Sequence, residues 1–292
     1  MDGTGVDDSE AEPAAAAVLA QVADRSISQM SAENFPVALR LLPRRPRSHL
    51  ARVYQYARFV DDVGDEAPGD RLAMLDRIEA DVRALAAGGA TLAPVAALAA
   101  VIDDCAVPIE PFLNLVQANR VDQRVSRYES FGDLLDYCRL SAAPVGRIVL
   151  HIAGAATEQN IAYSDAVCAG LQVLEHCQDV GEDARAGRVY LPAEDLRAAG
   201  VPDADLTAAA TSARLRRVIA KQVDRADALF ATGRPLIGRL RGWSRVAVAG
   251  YLAGGQATSS ALHAATFDVL AAPIRPGKAR IIWCATRLMV GG

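Results

Sequence analysis

Apolar residues recur along this chain every three or four positions, the spacing of a helix with one buried face. Nowhere do they alternate for long enough to make a strand. The pattern predicts helices over 48–65, 70–87, 93–105, 109–123, 131–156, 163–184, 203–232, 243–270 and 277–289. Pro36, Pro43 and Pro46, with arginines between them, predict a bent connection before the first of these. Ala67-Pro68-Gly69-Asp70 ends that helix and caps the next. Pro144 falls inside the predicted 131–156 helix, where it removes a hydrogen bond and predicts a kink or break. Residues 1–13 are acidic and lack apolar periodicity, so they read as a disordered tail. Gly88-Gly89 and Gly254-Gly255 open neither a GxGxxG nor a P-loop pattern, and no internal repeat is present. The expectation is an all-α protein with one helical domain over 14–292.

Composition narrows the class without changing that picture. The 292 residues include 31 Lys+Arg and 35 Asp+Glu, a net charge of −4, with no basic tract that would serve nucleic acid. A hydrophobic share of 51% excludes wholesale disorder. The five cysteines (Cys105, Cys138, Cys168, Cys177 and Cys284) form no CxxC and fit a reducing compartment better than a disulfide framework or structural zinc. Asp2, Asp7, Asp8, Glu10 and Glu12 give the N-terminus the wrong charge for a secretory signal. No apolar run approaches the roughly 20 residues that span a bilayer. These features predict a cytoplasmic protein and leave peripheral membrane contact and oligomeric state open.

Two acidic stripes stand out. Tyr54, Arg58, Asp61 and Asp65 advance by four, three and four residues and share one helix face, with Asp62 beside it. Glu175, Asp179 and Asp183 stand at i, i+4 and i+8 in an otherwise apolar segment. Carboxylates so placed need water or cations to offset their repulsion, and few Lys or Arg residues lie close to the second stripe. Facing stripes of this kind suit magnesium, which takes a few carboxylates plus water and substrate phosphate. Spacing alone does not separate a metal site from a solvated charged face, since roughly two D-x-x-x-D pairs arise by chance at this Asp frequency.

Tyr54-x-x-x-Arg58-x-x-Asp61-Asp62-x-x-Asp65 resembles the first aspartate-rich motif of the squalene and phytoene synthase family. Asp179-x-x-Glu182-Asp183, followed by Gly187-Arg188-Val189-Tyr190-Leu191-Pro192, resembles the second motif and its loop. Tyr137-Cys138, Ala142 and Val145-Gly146 are similar to the family's intervening YC-x-x-VAG-x-VG segment. The resemblance implies a single isoprenoid-synthase-type bundle around a central apolar cavity, the two acidic motifs facing each other at its mouth. It assigns Asp61, Asp62, Asp65, Asp179 and Asp183 to about three magnesium ions that chelate a prenyl diphosphate. Arg58, Arg188, Tyr54 and Tyr190 would hold the phosphate, and Tyr137 would lie beside the reacting carbons.

Departures from the condensing members refine the reading. Ala32-Glu33-Asn34-Phe35 replaces Ser-x-Ser-Phe, placing Asn34 with the substrate-binding residues. Ser141-Ala142-Ala143-Pro144 replaces Val-Ala-Gly, and Arg139 replaces an aromatic or His. Glu175 stands where many relatives have an Asn metal ligand, and Gln178 where an Arg often precedes the second Asp. Glu-Asn-Phe-Pro-Val and Tyr-Cys-Arg-x-Ser-Ala-x-Pro-Val-Gly are similar to the hydroxysqualene synthase branch, which ionises presqualene diphosphate and quenches the cation with water. By that resemblance no NADPH is expected. A condensing squalene, presqualene diphosphate or phytoene synthase is the enzymatic alternative, and an inactive helical scaffold or lipid-binding protein the non-enzymatic one. Tyr137 and Ser141 are candidates for orienting the quenching water, with Arg58 assisting catalysis. The competing role for Ser141 is a bond back to its own helix. Arg139 would bias pyrophosphate or a neighbouring carboxylate, His176 reads as packing, and Arg44, Arg45 and Arg47 as a diphosphate-closing or solvated basic segment.

Overall fold

A computed structural model describes residues 17–23 and 42–290 of the chain. The acidic tail over 1–13 and the Asn34 segment lie outside the described residues. Among those described, every regular element is a helix, and the sole β-type pairing is an isolated bridge between Arg127 and Val189. The chain divides into two compact units, the first ending at Gln123 and the second beginning at Arg124.

The first unit contains α1 (Arg44–Asp65), α2 (Arg71–Ala84) and, after two short helical segments at Ala93–Ala96 and Ala99–Cys105, α3 (Glu110–Asp122). Helix α1 begins four residues before its predicted start, with Pro43 at its N-cap and Pro46 in its first turn. Proline is tolerated there because first-turn N–H groups have no helical partner, so these prolines start a helix instead of bending a connection. Val53, Tyr56, Phe59, Val60 and Val63 form the buried face of α1, which packs on both α2 and α3. Tyr56 donates its hydroxyl to the Phe112 carbonyl at 3.0 Å, and the two rings meet edge-on at 5.6 Å. Asp70 caps α2 by accepting from the Ala73 N–H, as its sequence position predicts.

The second unit contains α4 (Phe131–Ser141), α5 (Ala143–Ile152), α6 (Glu158–Gln178), α7 (Val180–Arg185), α8 (Ala213–Gly233), α9 (Gly242–Ala264) and α10 (Lys278–Val290). The predicted 131–156 helix is two helices meeting at Ala142, and Pro144 lies in the first turn of the second. Thr157 caps α6 and Ser212 caps α8, each accepting a backbone N–H from the first turn. The Phe230 ring of α8 wedges between glycines of its neighbours. A Cβ on Gly170 of α6 would stand 2.7 Å from that ring, and one on Gly255 of α9 would stand 2.5 Å from it. Bare backbone at both positions lets three helices close on one aromatic ring.

Candidate active site

The first stripe occupies the C-terminal half of α1. Asp61 keeps accessible surface while accepting a hydrogen bond from Asn119 Nδ2 of α3 at 3.0 Å. Burial is the main influence on its carboxyl and raises the pKa to about 6; Asp65 and Asp62 add to the rise, against Asn119 and Arg58. Asp62 points to a different environment. It is buried, and its Oδ1 lies 2.9 Å from Arg58 Nε one turn back. Asp65 is exposed one turn beyond Asp61. The close approach of α1 and α3 depends on Gly64, where a Cβ would sit 1.9 Å from Asn119 Oδ1. Gln123 Nε2 then donates to the Gly64 carbonyl at 2.8 Å.

The second stripe crosses a helix break. Helix α6 stops at Gln178, and Asp179 leaves helical geometry with φ −100° and ψ 13°. The hydrogen-bond ladder nevertheless continues, with the Asp179 N–H on the Glu175 carbonyl at 3.0 Å and the Asp183 N–H on the Asp179 carbonyl at 2.8 Å. The i, i+4, i+8 relation therefore survives the break. Burial, then neighbouring carboxylates, pushes both Glu175 and Asp179 up from their ordinary values, while His176 pulls the other way.

Beside Asp183 lies a cluster of four rings. His176 stacks on Tyr190 with centroids 3.7 Å apart and planes 10° from parallel. Tyr128 stacks on Tyr190 at 5.7 Å and lies 5.3 Å from Tyr137, whose ring is 5.6 Å from Tyr190. His176 Nδ1 stands 3.8 Å from Asp183 Oδ2. Tyr190 and Tyr128 reach one another because the chain around 126–129 pairs with 189–194. Val189 donates to the Ser126 carbonyl at 2.8 Å and Ala193 to the Tyr128 carbonyl at 2.9 Å. His176 does pack, as its sequence position suggests, but it packs on a candidate phosphate-binding tyrosine. Tyr128 was not legible as a site residue, since only that long-range pairing brings it here.

The remaining candidates are distributed as follows. Ser141 Oγ donates to the Tyr137 carbonyl at 3.2 Å, the back-bond to its own helix. Arg139 is exposed and pairs with Asp136, a neighbouring carboxylate. The Gln178 amide donates to the Ile274 carbonyl, tying α6 to the segment before α10. Tyr54 and Arg188 are half-buried. Arg45 pairs with Asp104 at 3.2 Å. Among the described residues, no three His, Cys, Asp or Glu side chains converge into a ready-made metal cage. The donor set still fits magnesium, which takes one or two carboxylates from protein and completes its shell with water and substrate phosphate.

The family model for squalene/phytoene synthases matches residues 29–281. The chain belongs to the squalene/phytoene synthase family. It is 35% identical to a hydroxysqualene synthase of Sinorhizobium fredii over 221 residues, 74% of each chain. It is 37% identical to that of Rhodopseudomonas palustris over 213 residues, 72% of each chain. Among solved structures, the squalene synthase HpnC from Alicyclobacillus acidocaldarius superposes with a TM-score of 0.78 at 40% identity, covering 85% of this chain and 95% of that one. A dehydrosqualene synthase crystallised with a ligand has a TM-score of 0.81 at 20% identity, covering 94% and 97%, and supports the fold alone. The protein is thus an isoprenoid synthase with the all-helical fold of its family.

Proposed function

We propose that this synthase converts presqualene diphosphate and water to hydroxysqualene and diphosphate in a magnesium-dependent reaction. The observation that carries the reading is the 35–37% identity to hydroxysqualene synthases over roughly three-quarters of the chain. Asp61 and Asp65 on one stripe, with Asp62 beside it, and Glu175, Asp179 and Asp183 on the other, would hold the ions. Bound magnesium would supply positive charge that stabilises the departing diphosphate. Asp62 would act with Arg58, its partner at 2.9 Å, as part of the phosphate-binding end of α1. Asn34, Tyr54, Gln178, Arg188 and Tyr190 complete the proposed substrate-binding set. In the reaction the C–O bond between the cyclopropylcarbinyl carbon and the diphosphate would break with its electron pair on the leaving oxygen. The cation rearranges, water forms the new C–O bond, and its proton passes to the diphosphate.

Tyr137, packed in the ring cluster with Tyr128, His176 and Tyr190, would lie beside the reacting carbons. Ser141 spends its hydroxyl hydrogen on the Tyr137 carbonyl. Its oxygen lone pairs remain able to accept a hydrogen bond from water, so the back-bond and a water-orienting role are compatible.

Purified protein should be incubated with magnesium and either presqualene diphosphate or farnesyl diphosphate, with and without NADPH. Hydroxysqualene from presqualene diphosphate, unchanged by NADPH, supports the proposal. Condensation of farnesyl diphosphate as the main activity would replace it with the condensing reading, and inactivity on both would favour the scaffold or lipid-binding reading. Asp179→Asn should abolish magnesium-dependent turnover with the helical circular-dichroism signal intact.

A further inference from the structure

Helix α10 is packed along one face only. Cys284 and Leu288 are buried, and the helix lies against α9. The opposite arc is apolar and in water: Ile282 is 66% exposed, Trp283 51% and Met289 36%. At 100° per residue, Met289, Ile282, Thr286 and Trp283 form one continuous outward arc. Lys278 flanks that arc on one edge, with Arg287 and Arg280 on the other. Both arginines attend the tryptophan, their guanidinium carbons 4.8 Å (Arg287) and 5.8 Å (Arg280) from its ring centroid.

Charge identifies the occupant. Residues 275–290 carry four basic side chains (Arg275, Lys278, Arg280 and Arg287) and no acidic one, in a chain whose net charge is −4. An apolar ridge with tryptophan, edged on both sides by long cationic side chains, is the pattern of a helix lying in a bilayer interface. No described helix is long and apolar enough to cross a membrane, so the geometry fits lying on the surface. A second copy of the chain would bring these like charges against themselves across a two-fold axis, which disfavours that partner. We propose that α10 docks the protein onto an anionic lipid surface, with Ile282, Trp283 and Met289 entering the headgroup region and Lys278, Arg280 and Arg287 engaging lipid phosphates. The inference concerns a surface of the second unit and stands apart from the catalytic reading.

The test is vesicle flotation of the full-length protein without substrate. Binding is expected to vesicles containing phosphatidylglycerol, to be weak on pure phosphatidylcholine, and to fall as salt rises. The double variant Arg280→Glu/Arg287→Glu should weaken binding by about tenfold or more. Ile282→Ser/Met289→Ser, altering exposed positions only, should release the protein while its thermal melt stays as in the parent. In a Trp243→Phe background, Trp283 emission should shift to the blue on phosphatidylglycerol vesicles. Absence of flotation would overturn the proposal. So would flotation without the Trp283 shift or unaffected by these variants, since another surface would then be responsible. A dimer in solution that Ile282→Ser/Met289→Ser dissociates, without vesicle binding, would assign the face to a second copy.

Discussion

Replacing Asp61 with Asn removes one charge from the first stripe while conserving its hydrogen bond. The new side-chain carbonyl can still accept from Asn119 Nδ2, 3.0 Å from the present carboxylate. Burial, reinforced by Asp65 and Asp62, raises the Asp61 pKa from 3.8 to about 6. Taken at face value, that shift amounts to about 3 kcal/mol of penalty for holding the charge. Asp61 retains accessible surface, so water screens much of it, and a working figure is about 1 kcal/mol. The sign follows from proton counting. Between pH 4 and 6 the folded protein binds more protons at Asp61 than the unfolded chain does. Stability from this group is therefore present at low pH and is lost as pH rises through about 6.

In EDTA at pH 8, Asp61→Asn should thus be more stable than wild type by about 1 kcal/mol in urea denaturation. The gap should close as pH falls to about 4, where wild-type Asp61 is also neutral. Magnesium should stabilise the wild type more than the variant, because only the wild type offers this carboxylate. Equal stability at pH 8, or a gap that ignores pH, would refute the argument that Asp61 is held ionised at a cost.

Gly64→Ala should destabilise the first unit by about 1–3 kcal/mol, since its Cβ would drive into buried Asn119; a chemical melt reads this directly. Asp195 is buried beneath Lys221 (2.6 Å), Gln222 (2.8 Å) and Arg225. Burial resists its ionisation, but these donors prevail and hold its pKa below the usual range. Its contribution is present at neutral pH and lost as pH falls through that lowered value. Asp195→Asn should cost about 2–3 kcal/mol at pH 7 and flatten the acid limb of a stability–pH curve. Ser141→Val should move product from hydroxysqualene towards eliminated or rearranged hydrocarbons more than it slows substrate consumption; an unchanged product ratio in a folded variant would place the water elsewhere.

Local periodicity carried the helical class and both acidic stripes, because a stripe is set by the local backbone ladder, which in the second stripe continues across the break at Asp179. The Pro144 break was legible for the same reason: a missing N–H acts on its own turn. What escaped detection depends on distant residues. Asn119 meets Asp61 across 58 positions, and nothing in either segment announces the pairing. Tyr128 joins Tyr137, His176 and Tyr190 only because the 126–129 and 189–194 segments pair. The different fates of Asp61 and Asp62 also needed the fold. Adjacent on one helix, they point about 100° apart, so one meets Asn119 and the other turns inward to Arg58.

The acidic stripes work against the fold that carries them, and the surrounding structure accounts for their persistence. Burial and mutual repulsion raise Asp61, Glu175 and Asp179 in pKa, so in metal-free protein each stripe holds charge under strain. Each is anchored on a helix whose other face is packed without compromise. Tyr56 and Phe59 are fully buried behind the first stripe, and Val173, Leu174 and Cys177 are buried behind the second. The break at Asp179 fits the same logic. It ends the long helix while retaining the two backbone hydrogen bonds that keep Glu175, Asp179 and Asp183 in line. Splaying these carboxylates apart would relieve their mutual repulsion and stabilise the fold. The packed backing opposes that relaxation, so the carboxylates stay close despite their repulsion.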